Sequence, residues 1–368
     1  MSNESAQATS LLPQNIAALA AYSSAKSEKL TGTTWLNANE SPYAKNLELS
    51  IEDLNRYPDP QPQLVIDRYA AYTELESENV LMTRGADEGI ELLVRTYCEP
   101  AKDSIALFLP TYGMYKVTAD THNVAINSLT QALLLDGTVD EIVKAVGNSK
   151  LVFICNPNNP TGALIPREML EEIAAIARHV GAWVLCDEVY RGTDQHGQGM
   201  TTSMADIYEK GISTAGMSKA YSLAGLRLGW IAAPLNLIED VMVHRDYDTI
   251  SVGLLDDHFA TIALESYQNL LKRAHDITRG NLSRLTSWIE GEPRLSWVKP
   301  RSGTTALVKF DLELGSYDFC VELLQQTGVM FTPGAALQME GYVRIGYANN
   351  PEILKVGLER VSDFLLCH

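Results

Sequence analysis

Short apolar runs alternate with stretches of helical periodicity in this sequence from residue 78 onward. The apolar runs are Asn79–Met82, Ser104–Leu109, Leu151–Cys155 and Ala182–Cys186, and the helical stretches include Glu88–Cys98 and Glu168–His179. Short, nearly continuous apolar strands separated by helices are typical of a largely parallel sheet that helices cover on both faces. The sequence therefore predicts an α/β fold whose sheet runs from about residue 45 to about residue 245.

The pattern changes beyond residue 255. A long helical stretch is followed by a mixture of β-like and helical segments, in the order Asp256–Leu285, Leu295–Val298, Thr305–Phe310, Tyr317–Thr327, Gly328–Phe331 and Tyr342–Ile345. This order indicates a smaller α+β unit. We expect three parts: an N-terminal arm that forms part of the small domain (1–44), a large domain (45–250) and a small C-terminal domain (251–368).

Composition narrows the function classes. The chain has 29 basic and 46 acidic residues and a formal net charge of −17, which argues against a general nucleic-acid or membrane-surface role. Its longest apolar runs fall far short of the roughly 18 residues of a membrane span. Residues 1–14 lack the basic start and apolar stretch of a signal peptide. The five cysteines show no paired spacing, so we expect free thiols in a soluble, cytoplasmic protein.

Ligands of an open α/β sheet bind beyond the carboxyl ends of its strands, so the residues after each apolar run matter most. The first run leads to Gly85-Ala86-Asp87, which opens a helix whose free N–H groups suit a phosphate. The next runs lead to Tyr112, to the turn 156–162 with Asn159, and to Asp187 with Tyr190 three residues later. Taken singly, each segment also fits an ordinary turn, a packed rim residue or a structural ion pair.

One lysine, Lys219, lies among small and apolar residues, and Arg227 follows eight positions later. A lysine in a desolvated pocket has a lowered pKa and can form a Schiff base with an aldehyde. Ser218 and Arg227 could hold a phosphate, the arginine through its planar fork. An isolated lysine is usually a solvated surface residue. The ordered combination of a phosphate cradle, aromatic, amide, carboxylate, phenol, lysine and arginine matches the needs of pyridoxal phosphate.

With these motifs in this order, the chain resembles the class I/II aminotransferases from about Trp35 to Phe364. The resemblance implies a fold-type-I, pyridoxal-phosphate-dependent transferase with a mostly parallel, seven-stranded sheet in a large cofactor-binding domain and a smaller α+β domain. It also implies pyridoxal 5'-phosphate as the cofactor, an amino-acid substrate, and a homodimer with shared active sites. The resemblance does not imply nucleic acid or a membrane as a binding partner.

The resemblance assigns roles at the cofactor. Lys219 would carry the cofactor as a Schiff base and move the proton at Cα, and Asp187 would pair with the pyridine nitrogen and keep it protonated. Tyr190 and Asn159 would hydrogen-bond the ring's phenolic oxygen, and Tyr112 would stack on the ring. The residues implied at the phosphate are Gly85, Ala86, Asp87, Ser218 and Arg227, together with Tyr57 reaching from the partner subunit.

The resemblance also assigns roles at the substrate. Arg344 would bind the substrate carboxylate bidentately, with Asn159 beside it. Tyr22 would face the substrate from the N-terminal arm. We expect no metal site, because the scattered histidines show no metal-ligand spacing.

The two halves of the chain resemble different relatives. Segments 36–40, 54–58, 84–89 and 110–115 resemble histidinol-phosphate aminotransferase, whereas 244–251 and 329–334 resemble capreomycidine synthase and related aminotransferases. Thr332 stands where the first of two substrate arginines is expected in histidinol-phosphate aminotransferase, and Gly216 replaces a hydroxyl residue. The simplest prediction is an aminotransferase. The alternatives are a dehydratase/cyclase of a hydroxylated arginine, a histidinol-phosphate aminotransferase, and a catalytically inactive binding or regulatory domain that retains the fold.

Overall fold

The structure is a computed structural model that describes residues 14–17, 32–37, 54–197 and 200–368. The strands of this part are β1 (Thr34–Trp35), β2 (Val80–Thr83), β3 (Ser104–Leu109), β4 (Ala125–Thr130), β5 (Leu151–Cys155), β6 (Trp183–Asp187), β7 (Gly211–Gly216), β8 (Gly229–Ala232), β9 (Leu295–Trp297), β10 (Thr305–Phe310), β11 (Val329–Met330), β12 (Thr332–Pro333) and β13 (Tyr342–Gly346).

Helices connect most of these strands. They are α1 (Gln14–Ala17), α2 (Gln63–Thr73), α3 (Ala86–Tyr97), α4 (Met114–Thr121), α5 (Gln131–Asp136), α6 (Val139–Val146), α7 (Arg167–Val180), α8 (Met204–Ile207), α9 (Leu235–Asp246), α10 (Leu254–Glu265), α11 (Tyr267–Gly291), α12 (Ser316–Thr327) and α13 (Pro351–Cys367).

The larger sheet has seven strands in the order β2-β8-β7-β6-β5-β3-β4. Neighbouring strands are parallel from β7 through to β4, whereas β8 is antiparallel to both β2 and β7. The mostly parallel, seven-stranded sheet of the predicted α/β fold is therefore confirmed. The four predicted apolar runs become β2, β3, β5 and β6, with bounds shifted by at most one residue.

Three strands of this sheet were not predicted from the sequence. β4 lies at the sheet edge and buries only one of its six residues, so it carries no apolar run. β7 is buried throughout, but its sequence is made of small and hydroxyl residues around one isoleucine. β8 is only four residues long. For β4 and β7 the strand is specified by its neighbours in the sheet rather than by a local apolar pattern.

Alternate residues of the central strands enter two separate hydrophobic cores. Phe153 and Leu185 pack with Ile90 of α3 on one face, and Val152 packs with Leu170 of α7 on the other. Burial of each such side chain contributes about 1.5–3 kcal/mol. Strands buried on both faces form a rigid support for the loops at their carboxyl ends.

A second, four-stranded antiparallel sheet has the order β12-β13-β10-β9. Its core includes the contacting rings of Phe310, Phe319 and Phe364, with α11, α12 and α13 packed on it. β1 adds a short parallel pair with β11. This is the smaller α+β unit that the sequence predicts.

The single helix predicted for Asp256–Leu285 is wrong. The chain instead forms α10 and α11, which are separated at Ser266 (φ −123°, ψ 33°). The two helices have different packing partners, since α10 lies against α2 and α11 against α13. The apolar periodicity continues across Ser266, so a change of direction there leaves no local signal in the sequence.

Candidate active site

The turn between β2 and α3 forms one end of the site. Gly85 precedes α3 with a φ of +82°, a left-handed conformation that favours glycine. The N–H groups of Ala86 and Asp87 open the helix, where they have no partner within the helix and the positive end of the dipole favours an anion. A Cβ added at Gly85 would lie 2.9 Å from Nη2 of Arg227, so this guanidinium lies directly beside the turn.

Arg227 is oriented by its own loop. Its Nη1 donates to the Ala224 carbonyl oxygen (3.1 Å) and to Oγ of Ser218 (3.4 Å). The structure thus brings together the predicted phosphate residues Gly85, Arg227 and Ser218. A guanidinium, a hydroxyl and a helix N-terminus around one turn make a cradle for a phosphate group.

Close packing of strands explains the glycine at position 216. In the register of β7 and β8, Gly216 pairs with Gly229. A Cβ added at Gly216 would lie 2.9 Å from the Leu228 carbonyl oxygen, and one added at Gly229 would lie 2.5 Å from the Gly85 carbonyl carbon. The missing hydroxyl residue at position 216 is therefore a consequence of the tight approach of β8 to the cradle.

Asp187 forms the opposite end of the site, at the carboxyl end of β6. The side chain is buried; Oδ2 accepts a hydrogen bond from the Tyr115 hydroxyl (2.6 Å) and Oδ1 accepts one from the Val189 amide (3.1 Å). The pKa of Asp187 is raised to about 6, and burial is the largest cause. Asp87 and Glu188 also raise this pKa, whereas the two hydrogen bonds lower it. A bound cation would relieve the cost of burying this carboxylate.

Tyr115 is a site residue that sequence reasoning missed. It lies in α4, one turn after Tyr112, and their rings meet edge to face with centroids 5.6 Å apart. Tyr112 donates from its hydroxyl to Oδ1 of Asp87 (3.1 Å), which ties the aromatic wall to the phosphate cradle. The three-residue spacing of the two tyrosines at the start of a helix is the signal that could have found Tyr115.

The turn after β5 presents Asn159 to the second sheet. Asn158 is used within the turn, where its Oδ1 accepts from the amide and hydroxyl of Thr161. Oδ1 of Asn159 instead accepts a hydrogen bond from Nη1 of Arg344 on β13 (3.1 Å). The two predicted substrate-binding residues in the described structure are therefore in contact.

Arg344 has only neutral hydrogen-bond acceptors in the described structure. Its Nη2 donates to Oγ1 of Thr332 (3.3 Å), which stands opposite it in the β12–β13 register, and reaches the Asn37 carbonyl oxygen at 3.5 Å. Nε of Arg344 is buried and has no hydrogen-bond partner among the described residues. A guanidinium with this unmet donor suits a carboxylate ligand.

The remaining predicted residues divide into three groups. Tyr190 is buried after β6, and Lys219 is half-buried after β7; the register of β6 and β7 places both loops at the same sheet edge. Tyr57 lies before α2 with 94% of its side chain exposed, so it does not line the cradle of its own chain. Tyr22 lies outside the described residues.

Comparison with known proteins supplies the family. A family model described as aminotransferase class I and II matches residues 21–361. The chain belongs to the class I and II aminotransferases. This confirms the predicted family, the fold-type-I architecture and pyridoxal phosphate as the cofactor of an aminotransferase-type enzyme.

Two curated relatives of this aminotransferase are named histidinol-phosphate aminotransferases. The one from Pectobacterium carotovorum subsp. carotovorum (strain PC1) is 36% identical over 296 residues, which cover 80% of this chain and 82% of the relative. The one from Haemophilus influenzae (strain 86-028NP) is 42% identical over 231 residues. That match covers 63% of this chain and 65% of the relative, just under two thirds of its length.

Two solved structures resemble this aminotransferase. A PLP-dependent aminotransferase from Streptococcus suis 89-1591 has a TM-score of 0.77 and 35% identity, covering 83% of this chain and 82% of that one. Aspartate aminotransferase from Thermotoga maritima has a TM-score of 0.82 at 20% identity, covering 96% and 100% of the two chains. The second likeness shows the fold alone.

The site of this aminotransferase fits pyridoxal phosphate on its own geometry. The cradle at Gly85 and Arg227 suits the phosphate, and Asp187 is a buried carboxylate that the Tyr115 hydroxyl holds at the carboxyl end of β6. Lys219 and Tyr190 follow strands that end at the same edge. Within the described ranges, no helix combines the length and the hydrophobicity that a membrane span requires.

Proposed function

We propose that this enzyme transfers the amino group of an amino acid whose carboxylate binds Arg344. The observation that carries the proposal is the contact of Arg344 with Asn159, which sets a guanidinium with a buried, unmet N–H at the edge where Asp187 and Lys219 lie. A carboxylate held there by the guanidinium fork places the substrate Cα next to the strand ends.

The cofactor roles that we propose follow from the chemistry of each group. Bound pyridoxal phosphate supplies an electron sink for the charge that develops at the substrate Cα. Asp187 holds the proton on the pyridine nitrogen, and the amine of Lys219 binds the cofactor and then moves the proton at Cα. Tyr190 and Asn159 orient the ring through its phenolic oxygen.

The outer residues of the proposed cofactor site act by position. The ring of Tyr112 covers one face of the cofactor and excludes water from it. The phosphate lies against the turn at Gly85 and a set of donors from Ala86, Asp87, Ser218 and Arg227. What supports this placement is the hydrogen bond from Tyr112 to Asp87, because it joins the ring wall to the phosphate cradle.

We propose further that the enzyme is a homodimer in which Tyr57 reaches the phosphate of the partner subunit. Arg245 supports this arrangement: its Nη1 donates to the carbonyl oxygens of Pro60 and Ile250, so the loop of Tyr57 and the loop of Tyr247 are adjacent. Both tyrosines and Ile250 are exposed. Exposed aromatic and aliphatic side chains on adjacent loops are typical of a protein interface.

We also propose a domain organisation and a cellular location for this enzyme. We place the domain boundaries at 1–44, 45–250 and 251–368. The pairing of β1 with β11 supports assigning the first part to the small domain, and the loop between α9 and α10 contains the second boundary. The five cysteines, which show no paired spacing in the sequence, support a cytoplasmic location.

Thr332 favours an α-amino acid over histidinol phosphate as the substrate. The hydroxyl at this position accepts a hydrogen bond from Arg344 and adds no positive charge for a phosphate group. The names of the curated relatives support histidinol phosphate, so it is the direct competitor. Cyclisation of a hydroxylated arginine is the second candidate, because a single arginine at this position suffices for a substrate whose one anionic group is its carboxylate.

A substrate screen with the Lys219→Ala variant tests the proposal. The wild-type protein is offered amino acids, hydroxyarginine and histidinol phosphate, each with and without a keto acid, and products are identified by mass. We expect turnover of an α-amino acid that strictly requires a keto acid. Lys219→Ala should abolish the visible absorption of lysine-bound cofactor and lower turnover by at least about a thousandfold, because the proton carrier is lost.

Three outcomes would contradict the proposal. A cyclic product from hydroxyarginine without a keto acid indicates the cyclase. A preference for histidinol phosphate as the amino donor indicates a histidinol-phosphate aminotransferase. Unchanged absorption and turnover in Lys219→Ala would remove Lys219 from the reaction.

A further inference from the structure

Tyr115 holds a fixed position behind the carboxylate that we assign to the pyridine nitrogen. Its side chain is fully buried, and its hydroxyl donates to Oδ2 of Asp187 at 2.6 Å. Its ring lies between those of Tyr112 (5.6 Å between centroids) and Phe153 (5.1 Å). Because close packing fixes the ring on both sides, the hydroxyl has no room to turn away from Asp187.

The groups around Asp187 leave this hydroxyl as a principal source of stabilisation for the ionised carboxylate. Asp87 and Glu188 are acidic and raise the pKa of Asp187. Burial raises the pKa of the Cys155 thiol and of the Tyr115 phenol well above their ordinary values, so both groups are neutral near pH 7. Tyr115 therefore acts as a neutral donor, together with the Val189 amide on the other oxygen.

We propose that Tyr115 is a positioning residue that keeps the Asp187 carboxylate ionised and oriented toward the pyridine nitrogen of the cofactor. The proposal rests on the proposed function for the identity of the group that Asp187 meets. Its other part, the control of Asp187 by Tyr115, is a property of the protein without cofactor. The two parts can therefore be tested separately.

The expected sign follows from proton linkage. The pKa of Asp187 is about 6 in the folded protein against 3.8 for the unperturbed group. Between these two pKa values the folded state holds a proton on Asp187 that the unfolded state has lost. This group therefore lowers the stability of the fold as the pH rises through that range. Tyr115→Phe removes a donor to the carboxylate and raises the pKa further. Its stability loss should therefore be larger at high pH, where the carboxylate must ionise, than at low pH.

The first measurement is the thermal unfolding of cofactor-free Tyr115→Phe between about pH 5.5 and about pH 8, where a pKa-dependent difference is expressed. The matched control is Tyr208→Phe, which removes a buried hydroxyl that donates to a neutral acceptor, the Ala182 carbonyl oxygen (2.7 Å). We expect the loss of Tm in Tyr115→Phe to grow toward high pH and the loss in Tyr208→Phe to stay constant. When Tyr115→Phe is combined with Asp187→Asn, the pH-dependent part of the Tm loss caused by Tyr115→Phe should vanish.

The second measurement is the dissociation constant of pyridoxal phosphate, followed by protein fluorescence. Loss of a hydrogen bond to a charged group weakens binding by about tenfold or more, and we expect that change at about pH 8 for Tyr115→Phe and none for Tyr208→Phe. An equal Tm loss at both pH values, or an unchanged dissociation constant, would overturn the proposal. A different result is that the Tm loss of Tyr115→Phe follows pH as expected while the wild-type protein binds no pyridoxal phosphate. That result would contradict the proposed function and leave the control of Asp187 by Tyr115 standing.

Discussion

Arg344 contacts an amide, a hydroxyl and a backbone carbonyl oxygen in the described structure, and none of these groups carries a charge. A guanidinium with neutral acceptors keeps its charge available for an anionic ligand. Its Nε is buried without a partner there, which costs stability in the free protein. In the role that we propose for Arg344, binding of a substrate carboxylate would recover that cost.

Arg344→Lys tests this role. Lysine retains the charge but loses the planar fork, so we expect the KM of the amino-acid substrate to rise about tenfold to a hundredfold with a smaller change in kcat. Steady-state kinetics measures both values. The control is Arg167→Lys on the exposed face of α7, where the arginine pairs with Glu171. Equal KM values for Arg344→Lys and the wild type would show that Arg344 does not hold the carboxylate.

At the scale of elements, the site depends on the approach of β8 to the start of α3. Gly229 allows this contact, because an added Cβ would lie 2.5 Å from the Gly85 carbonyl carbon and 2.6 Å from the Ala86 nitrogen. The sequence predicts the turn at Gly85 and the helix after it. The requirement at Gly229 is not predictable from local pattern, since it arises from a strand that is distant in the chain.

Gly229→Ala should therefore displace the cradle. Backbone atoms cannot give way as a flexible side chain does, so we expect a loss of about 1–3 kcal/mol in the free energy of unfolding and weaker binding of pyridoxal phosphate. Chemical denaturation and fluorescence titration measure the two effects. Gly291→Ala is the control, because a Cβ there meets nothing within 4 Å. Wild-type stability and affinity in Gly229→Ala would disprove the steric requirement.

At the scale of the whole molecule, Tyr57 is 94% exposed although the family resemblance places it at a cofactor phosphate. A nearly fully exposed side chain cannot line the cradle of its own chain. The two statements agree if Tyr57 reaches the site of a second copy. In a dimer with two-fold symmetry each subunit then contributes to both sites.

Mixing two inactive variants tests the shared site. In a hybrid dimer of Lys219→Ala and Tyr57→Ala subunits, one site carries both defects and the other carries neither. Random exchange of subunits should restore about a quarter of the wild-type activity, because half of the dimers are hybrids with one intact site of two. The control omits the subunit exchange step. Activity that never exceeds that of Tyr57→Ala alone would show that the sites are not shared.

The sequence by itself determined the apolar strands β2, β3, β5 and β6 and the chemical groups that follow them, such as Asp187. Apolar runs and turn residues encode these features locally. Only the tertiary structure decided which side chains meet, as when Tyr115 reaches Asp187 and Arg344 reaches Asn159. Such contacts depend on sheet order, on register and on the path of each chain reversal, and periodicity along the chain carries no information about neighbours across it.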